Sequence, residues 1–156
     1  MSKPRVGLAN LGNTCYLNSV LQALASCPYF VADVASISHA PAARFCATLL
    51  PLLQSDRART RPRELPALKR MLGERNARFA GTEQEDAHDL MCALLEAVDA
   101  EAEAAGASRC STFDLTALCT LKCEGCEYTR TRREDLANHL ELPLPRKPCS
   151  VSRGLG

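Results

Sequence analysis

The stretch Gly7-Leu8-Ala9-Asn10-Leu11-Gly12-Asn13-Thr14-Cys15-Tyr16-Leu17-Asn18-Ser19-Val20-Leu21-Gln22-Ala23-Leu24 constrains this chain more than any other. Two glycines and two asparagines fall within the eight residues before Cys15. After Cys15, Leu17, Val20, Leu21 and Leu24 recur at helical spacing. The pattern predicts a tight loop that delivers a cysteine to the first turn of a helix, running from Thr14 or Cys15 to Ser26 and stopped by Pro28. Orphan backbone N–H groups and the positive dipole end gather there, and they favour a thiolate over a thiol. The structural alternative is simple: a cysteine in an apolar run is often core filler.

The other cysteines bear on the choice. The chain has 156 residues and nine cysteines, an odd count with no apolar leader before the loop, which argues against a disulfide framework. Core packing, metal binding and catalysis in a reducing compartment remain, and a cytoplasmic or nuclear setting is expected. A net charge of +1 gives no global attraction to nucleic acid or to a membrane surface. No apolar run approaches the ~20 residues of a membrane span. Aromatic residues are 4% of the chain with no tryptophan, so a core built mainly from Leu, Val and Ala is expected.

Further along, Ala42 to Gln54 reads as a helix with Phe45, Leu49 and Leu52 on one side and a kink at Pro51. The stretch before it, Asp33 to Ala43, is mixed. Arginine alternates from Arg57 to Arg63, which reads as a solvated loop because no aromatic residues interleave for base stacking. Leu65 to Leu72 forms a short amphipathic helix that Gly73 ends. Thr82 and Glu85 then have the spacing of a capping box, which opens a long helix towards Ala105. Its stripe of Leu90, Met91, Leu94, Leu95 and Val98 should pack on the first helix. From Phe113 the pattern turns to strands, with Cys123-Glu124-Gly125-Cys126 at a hairpin. Cys-x-x-Cys on a hairpin is half of a tetrahedral thiolate zinc site, a redox pair, or chance. Cys119 or Cys149 could supply further ligands.

The cysteine run closely resembles the cysteine box of the ubiquitin-specific proteases, papain-like peptidases that remove ubiquitin from proteins. Gln84-Glu85-Asp86-Ala87-His88-Asp89 resembles that family's second box, with Asp89 in place of the more usual Glu. The resemblance implies an α+β fold, with a mostly helical thumb over residues 1–110. A partial β fingers region would follow over 111–145, including a strand at Leu140 to Leu144, then a disordered tail over 146–156, with the palm absent. The fingers strands would lack pairing partners and expose their edges. It also implies roles: Cys15 as nucleophile, and Asn10 as the side-chain donor to the oxyanion. Gln84 and Asp86 would contact the basic tail of ubiquitin, and Cys123 and Cys126 would form half of a zinc knuckle. No cofactor is required for the chemistry, although the complete protein could carry a structural zinc. Ubiquitin and ubiquitinated proteins would be the partners, with no nucleic acid and no membrane.

A papain-like hydrolase needs a thiolate, a base that protonates the leaving amine, and an oxyanion hole. His39, His88 and His139 are the available histidines, and none lies in a Gly-His-Tyr-like box of the kind that carries the family's base. The chain is therefore expected to be truncated before the catalytic histidine. Two functions follow: a deubiquitinating thiol hydrolase acting through a Cys15 thioester, or an inactive short form that binds ubiquitin or a partner.

Overall fold

A computed structural model of the chain describes residues 7–54 and 63–136. Five helices come first: α1 (Cys15–Ala25), α2 (Pro28–Ser38), α3 (Arg44–Gln54), α4 (Glu64–Arg75) and α5 (Ala87–Ala104). A 3-10 turn (Ala77–Ala80) sits between α4 and α5, and two strands, β1 (Leu115–Lys122) and β2 (Thr129–Leu136), follow. The architecture is α+β, as the sequence implies. The described residues divide into two compact units that meet in sequence between Thr112 and Phe113.

In the helical unit, α1 packs against α5 and α3, while α2 lies on α3. Leu17, Leu21, Leu90 and Leu94 are fully buried, so the stripes of α1 and α5 meet as their spacing requires. The centre is more aromatic than composition suggests. Phe30, Phe45 and Phe79 are its largest fully buried side chains, three of the chain's four phenylalanines.

Three boundaries differ from the sequence reading. Pro28 does not only stop α1: it opens α2 at the first helical position, where its missing N–H costs nothing. The stretch read as mixed is thus partly helical, and α1 and α2 meet at a bend of 96°. Gly73 does not end α4, which runs on to Arg75. Its glycine is required for another reason: a Cβ there would lie 2.8 Å from the Ala80 backbone, so the 3-10 turn can close onto α4 only over a bare Cα. Finally, α5 starts at Ala87 with Asp86 as its N-cap, and Thr82 and Glu85 form no capping box. Both Thr and Asp make good caps, and here the later one wins because Glu85 is drawn away by Arg78, 2.6 Å distant.

The C-terminus of α5 closes as expected near Gly106, which adopts φ +63. Its N–H donates to Glu103 and the Ala107 N–H to Ala102, the paired bonds of a Schellman motif. Pro51 lies inside α3.

A buried carboxylate joins α5 to α3. Glu101, only 6% exposed, accepts from the backbone N–H of Phe45 at 2.6 Å and of Cys46 at 2.8 Å. It thereby caps the first turn of α3 from a distant helix. Arg75 stands 3.8 Å from the same carboxylate, and its guanidinium lies over the Phe45 ring.

In the second unit, β1 and β2 form an antiparallel hairpin with Leu115 opposite Leu136 and Lys122 opposite Thr129. Leu118 and Leu121 are 74% and 69% exposed. The expected strand at 140–144, the tail at 146–156 and almost all of the arginine run lie outside the described residues, as do His139 and Cys149.

Candidate active site

Asn10 organises the loop before α1. Its side-chain Oδ1 accepts from the Gly12 N–H, the Thr14 N–H and the Thr14 hydroxyl, each at 3.1 Å. The turn between requires left-handed backbone, with Gly12 at φ +97 and Asn13 at φ 49. Glycine adopts that region freely and asparagine tolerates it better than most residues. Three donors on one oxygen fix the orientation of the amide, and Nδ2 has no bond to the described residues.

Thr14 is fully buried at the N-cap of α1, yet it makes no side-chain capping bond. Its Oγ1 accepts from the Leu11 N–H at 2.9 Å and donates to Asn10. A threonine that forgoes capping typically sacrifices about 1 kcal/mol of helix stability. Cys15 follows at the first helical position and is exposed. An exposed thiol, uncapped N–H groups and an oriented amide are thus held within six consecutive residues.

Behind the loop, Asn18 donates from Nδ2 to the Ala9 carbonyl at 3.1 Å. Tyr16 is buried and stacks on Phe79 with centroids 6.4 Å apart, which ties the first turn of α1 to the 3-10 turn.

The second box lies beside this loop. Asn13 Nδ2 donates to the Thr82 carbonyl at 3.1 Å across 69 residues of sequence. Lys69 on α4 donates to the carbonyls of Phe79 and Gly81, at 2.5 and 2.8 Å, and steadies the approach to Thr82. Gln84 and Asp86 are both exposed. Asp86 accepts from the N–H groups of Asp89 and His88, and these bonds hold its carboxyl below the usual carboxylate range. Asp89 pairs with Arg78, which also binds Glu85.

The expected residues therefore fall into two groups. Asn10 and Cys15 share one loop, and Asn13 links that loop to the segment carrying Gln84 and Asp86. Cys123 and Cys126 belong to the hairpin unit. There the Cys123 N–H donates to the Tyr128 carbonyl at 3.0 Å and closes the turn. The Gly125 backbone N–H, then the Cys126 thiol and backbone N–H, lower the Cys123 thiol below its ordinary range, which suits a thiolate ligand. Two thiols fit half of a tetrahedral zinc site. Cys119 donates its thiol to Glu134 at 3.0 Å, and among the described residues no group of three or more metal-binding side chains converges.

Neither described histidine is an evident partner for Cys15. His39 caps the end of α2, and the His88 ring lies 3.7 Å from the Cys92 sulfur one turn along α5. The sequence reading missed Thr14, Asn13 and Arg78. Thr14 had a visible signal, since it is the N-cap candidate next to an asparagine-rich loop.

Residues 6–148 match the family model for ubiquitin carboxyl-terminal hydrolase. Over 100 residues the chain is 34% identical to the probable ubiquitin carboxyl-terminal hydrolase 16 of Schizosaccharomyces pombe, covering 58% of this chain and 22% of that protein. It is 26% identical to ubiquitin carboxyl-terminal hydrolase 29 of Mus musculus, over 90% of this chain and 19% of that one. The chain thus spans about a fifth of the length of these relatives. Among solved structures, the SAGA Ubp8/Sgf11/Sus1/Sgf73 DUB module bound to ubiquitin aldehyde aligns with a TM-score of 0.78 at 22% identity. That alignment covers 96% of this chain and 37% of the other, and it supports the fold.

Proposed function

Because the chain belongs to the ubiquitin carboxyl-terminal hydrolase family, we propose that it supplies the nucleophile side of a deubiquitinating active site. The observation that carries this reading is the six-residue arrangement from Asn10 to Cys15. Cys15 Sγ attacks the carbonyl carbon of ubiquitin's C-terminal glycine. The carbonyl oxygen becomes an oxyanion that the Asn10 amide and the Cys15 backbone N–H receive, an interaction whose loss typically costs ~10²–10³ in rate. The C–N bond breaks and the amine leaves with the proton that the Cys15 thiol gave up; water then hydrolyses the Cys15 thioester, releasing ubiquitin's carboxyl group and restoring the thiol.

Gln84 and Asp86 would receive the basic tail of ubiquitin. Both are exposed, and Asp86 keeps its negative charge through its capping bonds. Cys123 and Cys126 would hold half of a structural zinc. We assign the proton-transfer role to no histidine. His39 is the C-cap residue of α2, the His88 ring lies beside Cys92, and His139 lies outside the described residues.

The test uses ubiquitin with a C-terminal electrophile, followed by peptide mapping. An adduct at Cys15 that Cys15→Ala abolishes is expected, and an adduct at another cysteine overturns the assignment. The 156 residues alone are expected to release no fluorophore from a ubiquitin–coumarin amide. Turnover abolished by Cys15→Ala would place the base within them. A second reading, a ubiquitin-binding module without turnover, is favoured by the placement of the His88 ring beside Cys92. Reversible binding of ubiquitin without any adduct would select it.

A further inference from the structure

We infer that Thr14 is a positioning residue for the oxyanion site, its hydroxyl diverted from the helix end to hold the Asn10 amide. The inference rests on the proposed role of Asn10. Thr14 is the N-cap residue of α1, a buried hydroxyl of the type that ordinarily accepts from the second or third helical N–H. It makes no such bond. Oγ1 instead accepts from the Leu11 N–H at 2.9 Å and donates its proton to Asn10 Oδ1 at 3.1 Å. The Thr14 N–H adds a second bond to the same oxygen at 3.1 Å.

Two consequences follow from one side chain. The carbonyl end of the Asn10 amide is saturated, with the Gly12 N–H as its third donor, so the NH₂ end is the one left to face a ligand. The deflection also leaves the second and third N–H groups of α1 without the hydroxyl that would ordinarily cap them, while the Cys15 N–H, at the first helical position, lies outside the reach of such a cap in either case. The deflected bond thus sets which end of the Asn10 amide is presented. Burial fixes the deflection, because a fully enclosed threonine side chain has little rotamer freedom.

Thr14→Val keeps shape and branching and removes only the hydroxyl, whereas Thr14→Ser keeps the hydroxyl. Two measurements on the 156-residue chain test the inference. In ¹⁵N NMR, the Asn10 side-chain NH₂ is expected to give two separate, well-dispersed resonances in the wild type and in Thr14→Ser. In Thr14→Val these should move towards averaged positions. Unchanged Asn10 resonances in Thr14→Val overturn the positioning role. The affinity for ubiquitin aldehyde reads the oxyanion itself, since its adduct with Cys15 places an oxygen where the intermediate's would lie. Thr14→Val is expected to weaken it ~10-fold, a fraction of the ~10²–10³ assigned to the whole donor, with Thr14→Ser near wild type. In an Asn10→Ala background, Thr14→Val should add less than about twofold, the non-additivity expected of residues acting as a unit. Full additivity overturns the inference. A wild-type chain that forms no aldehyde adduct sinks the oxyanion reading of Asn10 instead, and the resonances still decide whether Thr14 orients its amide.

Discussion

Asn13 reaches across 69 residues of sequence to donate its side-chain amide to the Thr82 carbonyl at 3.1 Å. This hydrogen bond joins the cysteine loop to the segment of the second box. The residue is also one of two in the loop with a left-handed backbone. Its backbone shapes the turn, and its side chain sets where the turn sits.

Replacing Asn13 by alanine should therefore separate placement from stability. The bond is exposed, so its loss should change the unfolding free energy by less than about 1 kcal/mol. Labelling of Cys15 by electrophilic ubiquitin should slow ~10-fold, because small misplacements in a reacting constellation cost rate steeply. Urea titration and labelling kinetics on the same variant check both. Equal losses in both would show that Asn13 serves the fold alone.

Gly73 offers a test with an unusual sign. Glycine to alanine within a helix ordinarily stabilises by about 1 kcal/mol. At Gly73 the added Cβ would meet the Ala80 Cα at 2.8 Å, backbone that cannot step aside cheaply. Gly73→Ala is expected to destabilise by about 1–3 kcal/mol through overpacking. It should also loosen the 3-10 turn that carries Phe79. Thermal and urea unfolding measure the first effect, and near-ultraviolet circular dichroism of the Tyr16–Phe79 pair reads the second.

Two buried thiols set an alkaline limit. Burial, helped by the Glu101 carboxylate, pushes the Cys46 thiol up to about 12. Burial likewise raises Cys110, which donates to Asp33, to about 11. Each group binds its proton more tightly folded than unfolded. Their contribution is therefore complete below the ordinary thiol range near 9.0 and is lost as pH rises from there through the folded values. Unfolding free energy should fall between about pH 9 and pH 11. The slope should flatten in a Cys46→Val/Cys110→Ala double variant, measured by urea titration across that window. An unaltered slope would place the alkaline sensitivity elsewhere.

The hairpin should exchange its amide hydrogens faster than α5. Among the described residues the sheet has two strands, a number that is marginal in water, and most of β1 is exposed. Hydrogen exchange read by mass spectrometry compares 115–136 with 90–102 directly. Equal protection would contradict the picture of unpartnered edges.

The sequence shows α1 and α5 clearly because their apolar residues recur at one spacing and meet in one core. It shows Cys15 and Asn10 because loop chemistry and the resemblance coincide there. The start of α5 is hidden because Thr82 and Asp86 are both competent caps, and only the tertiary partner of Glu85 decides between them. Gly73 misleads for a related reason: a glycine signals an end or a close approach, and sequence does not distinguish them. Glu101 looks like a solvated charge among acidic and alanine residues. Its position one turn beyond Ala97 and Val98 on the buried stripe is the signal that it faces inward. What it caps could not be read, since Phe45 and Cys46 lie 56 and 55 residues earlier.

The long reach of these bonds has a bearing on synthesis. A ribosome delivers Cys15 well before Thr82, and Thr82 before the Glu101 that caps α3. Local turns form early, whereas contacts of high sequence separation wait for both ends and for the closure entropy between them. Until Thr82 emerges, the nascent chain thus carries the Cys15 thiol without the Asn13–Thr82 bond that seats its loop. The tie between the two boxes therefore waits for the segment just before α5, so the order of the helices sets when the boxes meet.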